Sequence, residues 1–389
     1  MHDEPEMDDR ERLSILHVSQ PTEGGVGRYV ADLAADQVAR GWQIAVASPT
    51  YGDLAGRTAA AGAKHLSWTA GRMPGPSSAL HALSLSRIVE RVQPDLVHLH
   101  SSSAGLSGRL AVRGSRPTIF QPHAWSFEAV RGALRSAALS WERWGARWAT
   151  AIVCVSEAER RRGEEHGVAA RWIVVPNGVD LTAFSEGTAE ERSAARLRLE
   201  LDQGPLVVCV GRLCRQKGQD VLLDAWPEIA SRVPDAQLVL VGDGPDAREL
   251  DRRAGPGVRL VGRRTDVDDW LAAADVVALP SRWEGMSLGM LEAMARGRSI
   301  VATDVPGALE ALNDEAGAVI QPEDAPALAE AIAVRLLDPV RAAAEGRRAR
   351  QRAEQAFDLN AMTARIAGVY EELLGSRSPA SSNTGPRTP

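Results

Sequence analysis

Short apolar runs alternate with amphipathic segments of helix length along almost the whole chain. The runs are rich in Val, Ile and Leu and are bounded by glycine or polar residues, which is typical of buried strands. Strands that alternate with helices predict a parallel sheet wrapped by helices, so the expected fold class is α/β. One series of strands is predicted at 14–18, 43–47, 96–100, 118–120 and 151–155, with a helix at 26–40. A second series is predicted at 206–210, 237–241, 258–261, 276–279 and 299–302.

A charged stretch at 185–203 separates the two series and predicts a division into two domains. A chain of 389 residues with 44% hydrophobic residues is long enough to bury two cores. The Ser-, Pro-, Thr- and Gly-rich C-terminus predicts a disordered tail. The predicted boundaries are a disordered N-terminus at 1–12, a first domain at 13–184, a linker at 185–204, a second domain at 205–360, a final helix at 361–375 and the tail at 376–389.

Composition and charge exclude some classes of protein. A formal net charge of −6 argues against a nucleic-acid partner held by bulk charge. The cysteines Cys154, Cys209 and Cys214 lack the paired spacing of metal ligands, which favours buried thiols in a reducing compartment. The N-terminus has no signal-peptide layout, and no apolar run reaches transmembrane length. We therefore expect a cytoplasmic protein, with peripheral contact to the inner face of the membrane left open.

Two glutamates, Glu284 and Glu292, stand eight residues apart directly after a predicted strand. The first falls in the loop after the strand, and the second falls in the first turns of the next helix. Gly285, Ser287 and Gly289 between them let backbone N–H groups approach an anion at the helix N-terminus. Glutamates at this spacing also occur on solvated helix faces. The functional interpretation is a nucleotide-sugar site, in which the N–H groups bind the diphosphate and the carboxylates bind hydroxyls.

This segment resembles the retaining GT-B glycosyltransferases of glycosyltransferase family 4, whose E-x7-E signature matches Glu284 to Glu292. The resemblance runs from about Leu13 to about Leu374 and rests on several motifs in the same order. It implies the GT-B fold, in which two Rossmann-like domains face a central cleft. The N-terminal domain would hold the acceptor, the C-terminal domain would hold the donor, and the final helix would cross back to the N-terminal domain.

The resemblance also implies roles for the residues of this loop. Glu284 would face the transferred sugar and act in catalysis, and Glu292 would accept hydrogen bonds from the ribose hydroxyls. The loop backbone would bind the donor diphosphate through Gly285, Met286, Ser287 and Leu288.

A glycine-rich turn that contains Gly24 and Gly25 opens the helix after the first strand. Clustered glycines allow positive φ and close backbone approach, although a tight turn needs them for packing as well. The family has a glycine-pair loop here that closes over the donor diphosphate or the acceptor. By this resemblance Gly25 would bind the donor and Gly24 the acceptor.

Two cations, Arg212 and Lys217, flank the turn after the first strand of the second series. Both can reach one site, and a departing diphosphate needs such neutralisation. They match the Arg and Lys with which the family grips the diphosphate, and Gly211 belongs to the same donor-binding turn. Arg215 has no match in the motif and is expected to be solvated. Because these cations replace a metal in the family, and no Asp-x-Asp pair is suitably placed, neither metal nor cofactor is expected.

Two other loops supply candidate residues. In similar enzymes the base lies against the backbone after the strand at 258–261, which makes Gly262 and Arg263 candidate neighbours of the base. His123 follows the strand at 118–120, and the family often has His-Asp here with the His on the donor sugar. Ala124 replaces that Asp, so only the role of the histidine is carried over, as a catalytic candidate.

The sequence around this loop contains three other groups of aromatic or histidine residues, and their interpretation is less specific. Trp125 is a candidate acceptor-binding residue. His98 and His100 alternate to one face of their strand, where packing in the core is favoured over a place beside the cleft. Tryptophans at helical spacing near several arginines are more often core than a membrane-surface or lipid-acceptor helix. These tryptophans are Trp141, Trp144 and Trp148.

The resemblance implies an enzyme, a hexosyltransferase that moves a sugar from a UDP- or GDP-sugar to a hydroxyl with retention of anomeric configuration. The acceptor is left open between a lipid-linked glycan, a polysaccharide precursor and a natural product. An epimerase or hydrolase acting on a nucleotide sugar is the alternative enzyme, and a noncatalytic sugar-nucleotide binding protein is a further class. The presence of Glu284, Glu292, Arg212 and Lys217 argues against the noncatalytic class.

Overall fold

The computed structural model describes residues 12–71, 77–313 and 315–375. It confirms the predicted α/β architecture, with two parallel sheets, each covered by helices. The predicted tail at 376–389 and all but the last residue of the predicted N-terminal segment lie outside the described residues. Among the described helices, none is both long and apolar enough to cross a membrane.

The first module is built on a seven-stranded sheet with the order β3-β2-β1-β4-β5-β6-β7. Its strands are β1 Ser14–Ser19, β2 Gln43–Ser48, β3 Lys64–Ser67, β4 Leu96–His100, β5 Thr118–Gln121, β6 Ala151–Cys154 and β7 Trp172–Val174. Its helices are α1 Gly24–Ala39, α2 Leu54–Ala60, α3 Ser78–Val92, α4 Ser101–Val112, α5 Gly132–Gly145 and α6 Glu157–Glu165. Short 3-10 helices lie at Ser126–Glu128 and Ala146–Trp148.

The second module is built on a six-stranded sheet with the order β10-β9-β8-β11-β12-β13. Its strands are β8 Leu206–Val210, β9 Gln237–Val241, β10 Val258–Leu260, β11 Val276–Leu279, β12 Ser299–Thr303 and β13 Gly317–Ile320. Its helices are α7 Ala189–Arg198, α8 Gln219–Arg232, α9 Ala247–Arg253, α10 Val267–Ala273, α11 Leu288–Ala295, α12 Ala308–Leu312, α13 Ala325–Leu337 and α14 Pro339–Ala356. A 3-10 turn lies at Arg215–Lys217.

Both sheets are apolar on both faces because helices cover each side. In the first sheet Leu16 and Phe120 belong to one core cluster, and Ile15 and Ile119 belong to the cluster on the opposite face. Successive side chains of a strand point to opposite faces, so near-continuous apolar runs are the expected signature of this packing. This is why the runs identified the central strands.

Strand order reverses direction at one point in each sheet, between β1 and β4 in the first and between β8 and β11 in the second. In open parallel sheets the loops at the carboxyl ends of such strands diverge and leave a crevice for ligands. The loops that follow β1, β8 and β11 therefore supply the candidate site.

The segment predicted as a linker contains helix α7, which packs on the second module. Thr188 caps this helix by accepting from the backbone N–H of Glu191, whose side chain accepts from the N–H of Thr188 in return. Arg196 is buried and pairs with Asp275 at 2.7 Å. Much of the segment is thus folded onto the second sheet.

The last helix, α15 Leu359–Gly375, packs on the first module. The Tyr370 hydroxyl is 2.5 Å from His98 Nδ1, and the Tyr370 ring stacks on Trp42 with centroids 6.1 Å apart. Thr363 donates to Asp36 of α1 at 3.0 Å. Within the described residues, β1 and α15 therefore belong to the same module.

Candidate active site

The loop after β11 and the turn after β8 are held together by backbone contacts. Gly218 has φ +67, and a Cβ there would lie 2.0 Å from the Pro280 carbonyl oxygen, so only glycine fits this approach. The backbone N–H of Arg282 donates to the Gln216 carbonyl at 2.7 Å, and Gln216 Nε2 donates to the Trp283 carbonyl at 2.9 Å. These contacts fix the two predicted diphosphate loops side by side.

Lys217 and Glu284 form an ion pair where these loops meet. Their side chains are 22% and 12% exposed, and Ser281 Oγ lies 3.5 Å from the same carboxylate oxygen. Burial disfavours the charged ammonium, but the adjacent carboxylate outweighs that cost and raises the pKa of Lys217. A charged ammonium is thus available at the start of α11.

Arg212 and Gly211 lie in the same turn as Lys217. A Cβ on Gly211 would be 3.6 Å from the Lys217 side chain, which places the Gly211 backbone against the aliphatic part of the lysine. Within the described part of the chain no carboxylate forms an ion pair with Arg212. Among the described residues, the Arg212 guanidinium is therefore a cation without a fixed counter-ion, in the turn that also contains the paired Lys217.

Helix α11 places Glu292 in its second turn, where the side chain is buried at 3% exposure. The carboxylate is ion-paired with Arg28 of α1, a residue of the first module. For Glu292 to bind the ribose as predicted, the Arg28 guanidinium would have to move, or the carboxylate would have to bind both groups. Sequence reasoning did not single out Arg28, although it lies within the glycine-rich segment that was identified.

The two modules meet over the loop before α11. A Cβ on Gly25 would lie 3.7 Å from the Leu288 side chain across the cleft. A Cβ on Gly285 would lie 2.7 Å from the His123 carbonyl oxygen and 2.8 Å from Val155 Cγ2, so glycine is required for this approach. The structure therefore brings together the predicted Gly25, His123 and donor-loop residues.

His123 occupies a left-handed backbone conformation, with φ 59. For a non-glycine residue this costs about 1–2 kcal/mol, and such strain is concentrated at functional positions. His123 Nε2 is 3.2 Å from His100 Nδ1, and desolvation lowers the pKa of His123 to about 3. The imidazole is therefore neutral near pH 7 and can act as a hydrogen-bonding group.

Arg263 does not project freely toward a base in this structure. Its guanidinium donates to Glu23 at 2.7 Å and pairs with Asp53, both residues of the first module. Gly24 and Gly262 both have positive φ, and a Cβ on either would meet nothing within 4 Å. Both glycines leave open space, whereas Arg263 bridges the two modules.

The prediction that Trp125 lines the acceptor site is wrong for this structure. Trp125 is 1% exposed and stacks on Phe127 in the core of the first module. Its indole N–H donates to the Glu159 carbonyl at 2.8 Å, which satisfies the one polar group of a buried tryptophan. The aromatic residue after His123 therefore supports the loop from behind.

The tryptophans of α5 and the turn after it are not uniformly buried. Trp144 is 44% exposed, while Trp141 and Trp148 are partly buried. The Arg147 guanidinium lies 4.6 Å from the centre of the Trp144 ring. The cluster thus packs on the module and also presents an aromatic and cationic surface to solvent. His98 and His100 are fully buried, as the packing interpretation expected.

Two further residues connect the modules at this site and were missed from the sequence. Asn177 Nδ2 donates to the Met286 carbonyl at 2.8 Å, which holds the donor loop from the first module. Glu310 accepts from the backbone N–H groups of Glu157 and Ala158 at 2.9 and 2.6 Å. The turn sequence Pro176-Asn177-Gly178 was the available signal for Asn177, and nothing local marks Glu310.

Within the described residues, one group of side chains has the arrangement of metal ligands. It consists of the buried His17, His98 and His100 in the first module. The group does not include Lys217, Glu284 or any other predicted donor-binding residue.

Comparison with known families matches both modules of the chain. The family described as Glycosyltransferase Family 4 matches residues 23–183. The family described as Glycosyl transferases group 1 matches residues 204–338. The two matches cover the first and second modules in that order.

Two curated relatives show how far the similarity extends. The GDP-mannose-dependent alpha-(1-6)-phosphatidylinositol monomannoside mannosyltransferase of Mycolicibacterium smegmatis is 31% identical, and the match covers 95% of this chain and 99% of the relative. The GDP-mannose-dependent monoacylated alpha-(1-6)-phosphatidylinositol monomannoside mannosyltransferase of Corynebacterium glutamicum is 35% identical over 210 residues. That second match spans 51% of this chain and only 55% of the relative.

Among solved structures, the chain resembles Anabaena HepE in complex with UDP-glucose, with a TM-score of 0.81 and 24% identity. The match covers 93% of this chain and all of that one. At this level of identity the likeness establishes the fold.

Proposed function

The chain belongs to the GT-B enzymes of glycosyltransferase family 4, and from that premise we propose that it transfers a hexose from a nucleoside diphosphate donor to a hydroxyl with retention of anomeric configuration. The observation that carries this proposal is the Lys217–Glu284 pair at the start of α11, facing the Gly25 and His123 loops of the other module. At this place, cations and backbone N–H groups that could bind a diphosphate lie next to a carboxylate that could bind a sugar.

The proposed step is departure of the nucleoside diphosphate from the anomeric carbon through an oxocarbenium-like state. Negative charge grows on the leaving phosphate oxygen, where Arg212 and Lys217 would stabilise it. Helix α11 adds backbone N–H groups of its first turn, which have no partner within the helix. The acceptor hydroxyl would enter on the same face and give its proton to the leaving oxygen, so no protein nucleophile is needed.

Glu284 and His123 would act on the sugar rather than on the diphosphate. The Glu284 carboxylate lies within the ion pair and close to the cleft, where its negative charge can stabilise a developing oxocarbenium ion. His123 is held as a neutral imidazole that can donate or accept one hydrogen bond to a sugar hydroxyl. Gly285 would keep the two residues within reach of one sugar, because its lack of a side chain allows the modules to approach.

For the donor we expect a GDP- or UDP-hexose, with GDP-mannose as the first to test. GDP-mannose is the donor in the name of the relative matched over its full length. UDP-glucose is bound in the matched structure, which supports the fold's capacity for either class of donor. Glu292 would bind the ribose, which both nucleotides share, and so does not discriminate between them.

For the acceptor we propose a lipid-linked sugar reached from the membrane surface. Leu134 and Trp144 on α5 are 68% and 44% exposed, and Arg131, Arg135 and Arg147 accompany them. The one acid of this helix, Glu142, is buried against Arg109 and leaves the surface cationic. Exposed apolar residues among arginines suit an anionic lipid surface. The two curated relatives described above act on phosphatidylinositol mannosides according to their names.

Donor turnover with and without acceptor tests the proposal against its alternative. We expect GDP-mannose or another nucleotide sugar to be consumed only when a lipid-linked acceptor is present. Equal consumption without acceptor would instead identify a hydrolase or an epimerase. Binding of nucleotide sugars with no turnover under any acceptor would identify a noncatalytic binding protein.

The membrane part of the proposal has its own test. Sedimentation with vesicles of phosphatidylglycerol should retain the protein, and a Leu134→Ser, Trp144→Ser double variant should lose this binding. Arg248→Ala, in an exposed helix of the second module, is the control for general charge. Equal sedimentation of all three proteins would show that α5 is not the membrane-facing surface.

A further inference from the structure

Three buried imidazoles converge on neighbouring strands of the first sheet. His17 on β1 is paired in register with His98 on β4, and His100 lies two residues further along β4. Alternate residues of a strand share a face, so all three rings lie on one side of the sheet. One nitrogen from each ring lies within 4.8 Å of those from the other two. The rings are fully buried.

Each ring has one nitrogen that points outward to a partner of its own. The outward contacts are His17 Nε2 to Gln37 Oε1 at 2.8 Å, His98 Nδ1 to Tyr370 Oη at 2.5 Å and His100 Nδ1 to His123 Nε2 at 3.2 Å. Metal-ligating histidines characteristically donate their second ring N–H to such an outer partner, which fixes the tautomer and ring orientation. The outer contacts thus have the arrangement that a metal site requires.

The remaining nitrogens face each other. His98 Nε2 is buried and makes no hydrogen bond of ordinary geometry to a described residue, although the Gln121 side chain, whose Oε1 is also unpartnered, lies near this ring. His17 Nδ1 and His100 Nε2 are 3.0 Å apart. A buried imidazole nitrogen without a partner is costly, which points to a ligand that the polypeptide does not itself supply.

We propose that His17 Nδ1, His98 Nε2 and His100 Nε2 bind one Zn²⁺ ion in the core of the first module. Zinc accepts imidazole nitrogens at about 2.0–2.1 Å in tetrahedral geometry, which separates two ligand nitrogens by about 3.3 Å. The observed separation of 3.0 Å between His17 and His100 is close to that value. Three protein ligands leave a fourth position for water or hydroxide. Imidazole sets of this kind suit zinc over the hard ions Mg²⁺ and Ca²⁺.

The ion would join three parts of the fold. Its ligands lie on β1 and β4, Gln37 is on α1, and Tyr370 belongs to the returning helix α15. Through His100 it would also orient His123, which borders the candidate active site. The site is separate from the diphosphate loops, and the proposal rests on the fold rather than on the proposed reaction.

The test is the metal content of the full-length protein expressed in zinc-supplemented medium and purified without chelator. We expect about one zinc per chain by inductively coupled plasma mass spectrometry, and loss of that equivalent in His98→Gln. The control is His81→Gln, which changes a histidine of α3 outside the cluster and should keep the zinc. Exchange with CoCl₂ should give the visible d–d absorption of tetrahedral Co²⁺ in the wild type and the control only.

If the variants fail to fold, the metal content of the wild-type protein still tests the proposal. Circular dichroism and gel filtration monitor folding, and His17→Gln serves as a second variant. Wild-type protein that holds neither zinc after expression nor cobalt after loading would overturn the proposal. Retention of the full metal equivalent in a folded His98→Gln or His17→Gln would overturn it as well.

Discussion

Replacing Lys217 with alanine removes a cation that its ion pair with Glu284 fixes in the loops proposed to bind the diphosphate. Loss of one preorganised group that stabilises developing charge typically costs about 3 kcal/mol, or on the order of a hundredfold in turnover. The same change leaves the Glu284 carboxylate, only 12% exposed, without its cation. An unpaired group in such a position costs roughly 1–3 kcal/mol of stability. Typical domains have about 5–15 kcal/mol to lose, so the variant should remain folded and the turnover loss should dominate.

The chain offers a matched control in the same 3-10 turn. Arg215 is exposed, carries the same charge and stacks on Trp283 at 5.5 Å from the ring centre, outside the ion pair. Arg215→Ala should therefore keep nearly normal turnover. A double variant, Lys217→Met with Glu284→Gln, removes both charges and should recover stability without recovering turnover. Together these variants separate loss of chemistry from loss of folding.

The assay is initial-rate turnover at saturating donor, with thermal unfolding measured on the same preparations. We expect a drop in turnover of about a hundredfold for Lys217→Ala and a similar drop for Arg212→Ala. Near-normal turnover in both variants would refute the assignment of the diphosphate site. An equally large drop in Arg215→Ala would show that the turn is sensitive as a whole and would remove the specific role of Lys217.

Other predictions concern the acids, metal dependence and pH. Glu292→Ala removes a contact made in ground and transition states alike and should mainly raise the donor KM, whereas Glu284→Ala should mainly lower kcat. If kcat in Glu284→Gln falls nearly as far as in Glu284→Ala, the negative charge near the anomeric carbon matters. A wild-type kcat in Glu284→Gln would show that Glu284 only positions the sugar. Turnover should survive EDTA, because Arg212 and Lys217 neutralise the diphosphate. A loss of turnover that Mg²⁺ or Mn²⁺ restores would reveal a missed metal at the diphosphate site. Metal analysis before and after the treatment shows whether the proposed zinc is retained. Burial raises the pKa of Glu159 from 4.5 to about 8, so its protonated form is favoured by folding and the contribution of Glu159 to stability should fall as pH rises from 4.5 toward about 8. Glu159→Gln should flatten that fall in a series of thermal melts, and an unchanged pH profile would contradict this source of the effect.

The central strands and the positions of the loops proposed to bind the diphosphate were predictable because both depend on local sequence. A buried parallel strand reads as a continuous apolar run, as at 206–210 and 276–279, and both were found with their observed bounds. Gly211 directly follows the first run, and Lys217 and Glu284 lie in the loops after the two runs. Their place at the carboxyl edge of the second sheet therefore follows from the order of elements. Their ion pair then depends on only two neighbouring loops.

Three of the four edge strands escaped detection, whereas the fourth, β10, was predicted at 258–261. β3, β7 and β13 lie at the edges of the two sheets and are short or partly exposed. Edge strands are commonly short and carry charged or polar residues, because their unpaired N–H and C=O groups would otherwise pair with another chain. Lys64-His65-Leu66-Ser67 has a single aliphatic residue and carries no strand signal of its own.

Contacts between the modules were also outside the reach of the sequence. Arg28 and Glu292 are far apart along the chain, and their pairing depends on how the two sheets are positioned. Arg263 likewise pairs with carboxylates of the first module, although its loop predicted a place beside the base. Trp125 was assigned to the cleft by its position after His123, but its indole N–H finds a carbonyl in the core and its ring packs there. Side-chain direction in a loop is set by tertiary packing, which local pattern does not encode.

Thermal unfolding with GDP, UDP and their sugars tests the central claim, a nucleoside diphosphate site at the Lys217–Glu284 loops, most directly. A ligand that binds only the native state at a hundredfold excess over its Kd stabilises that state by about 2.7 kcal/mol and raises the Tm. We expect at least one nucleoside diphosphate to raise the Tm of the wild type and of Arg215→Ala, with a much smaller rise in Lys217→Ala. No rise with any of these ligands, or an equal rise in Lys217→Ala, would contradict it.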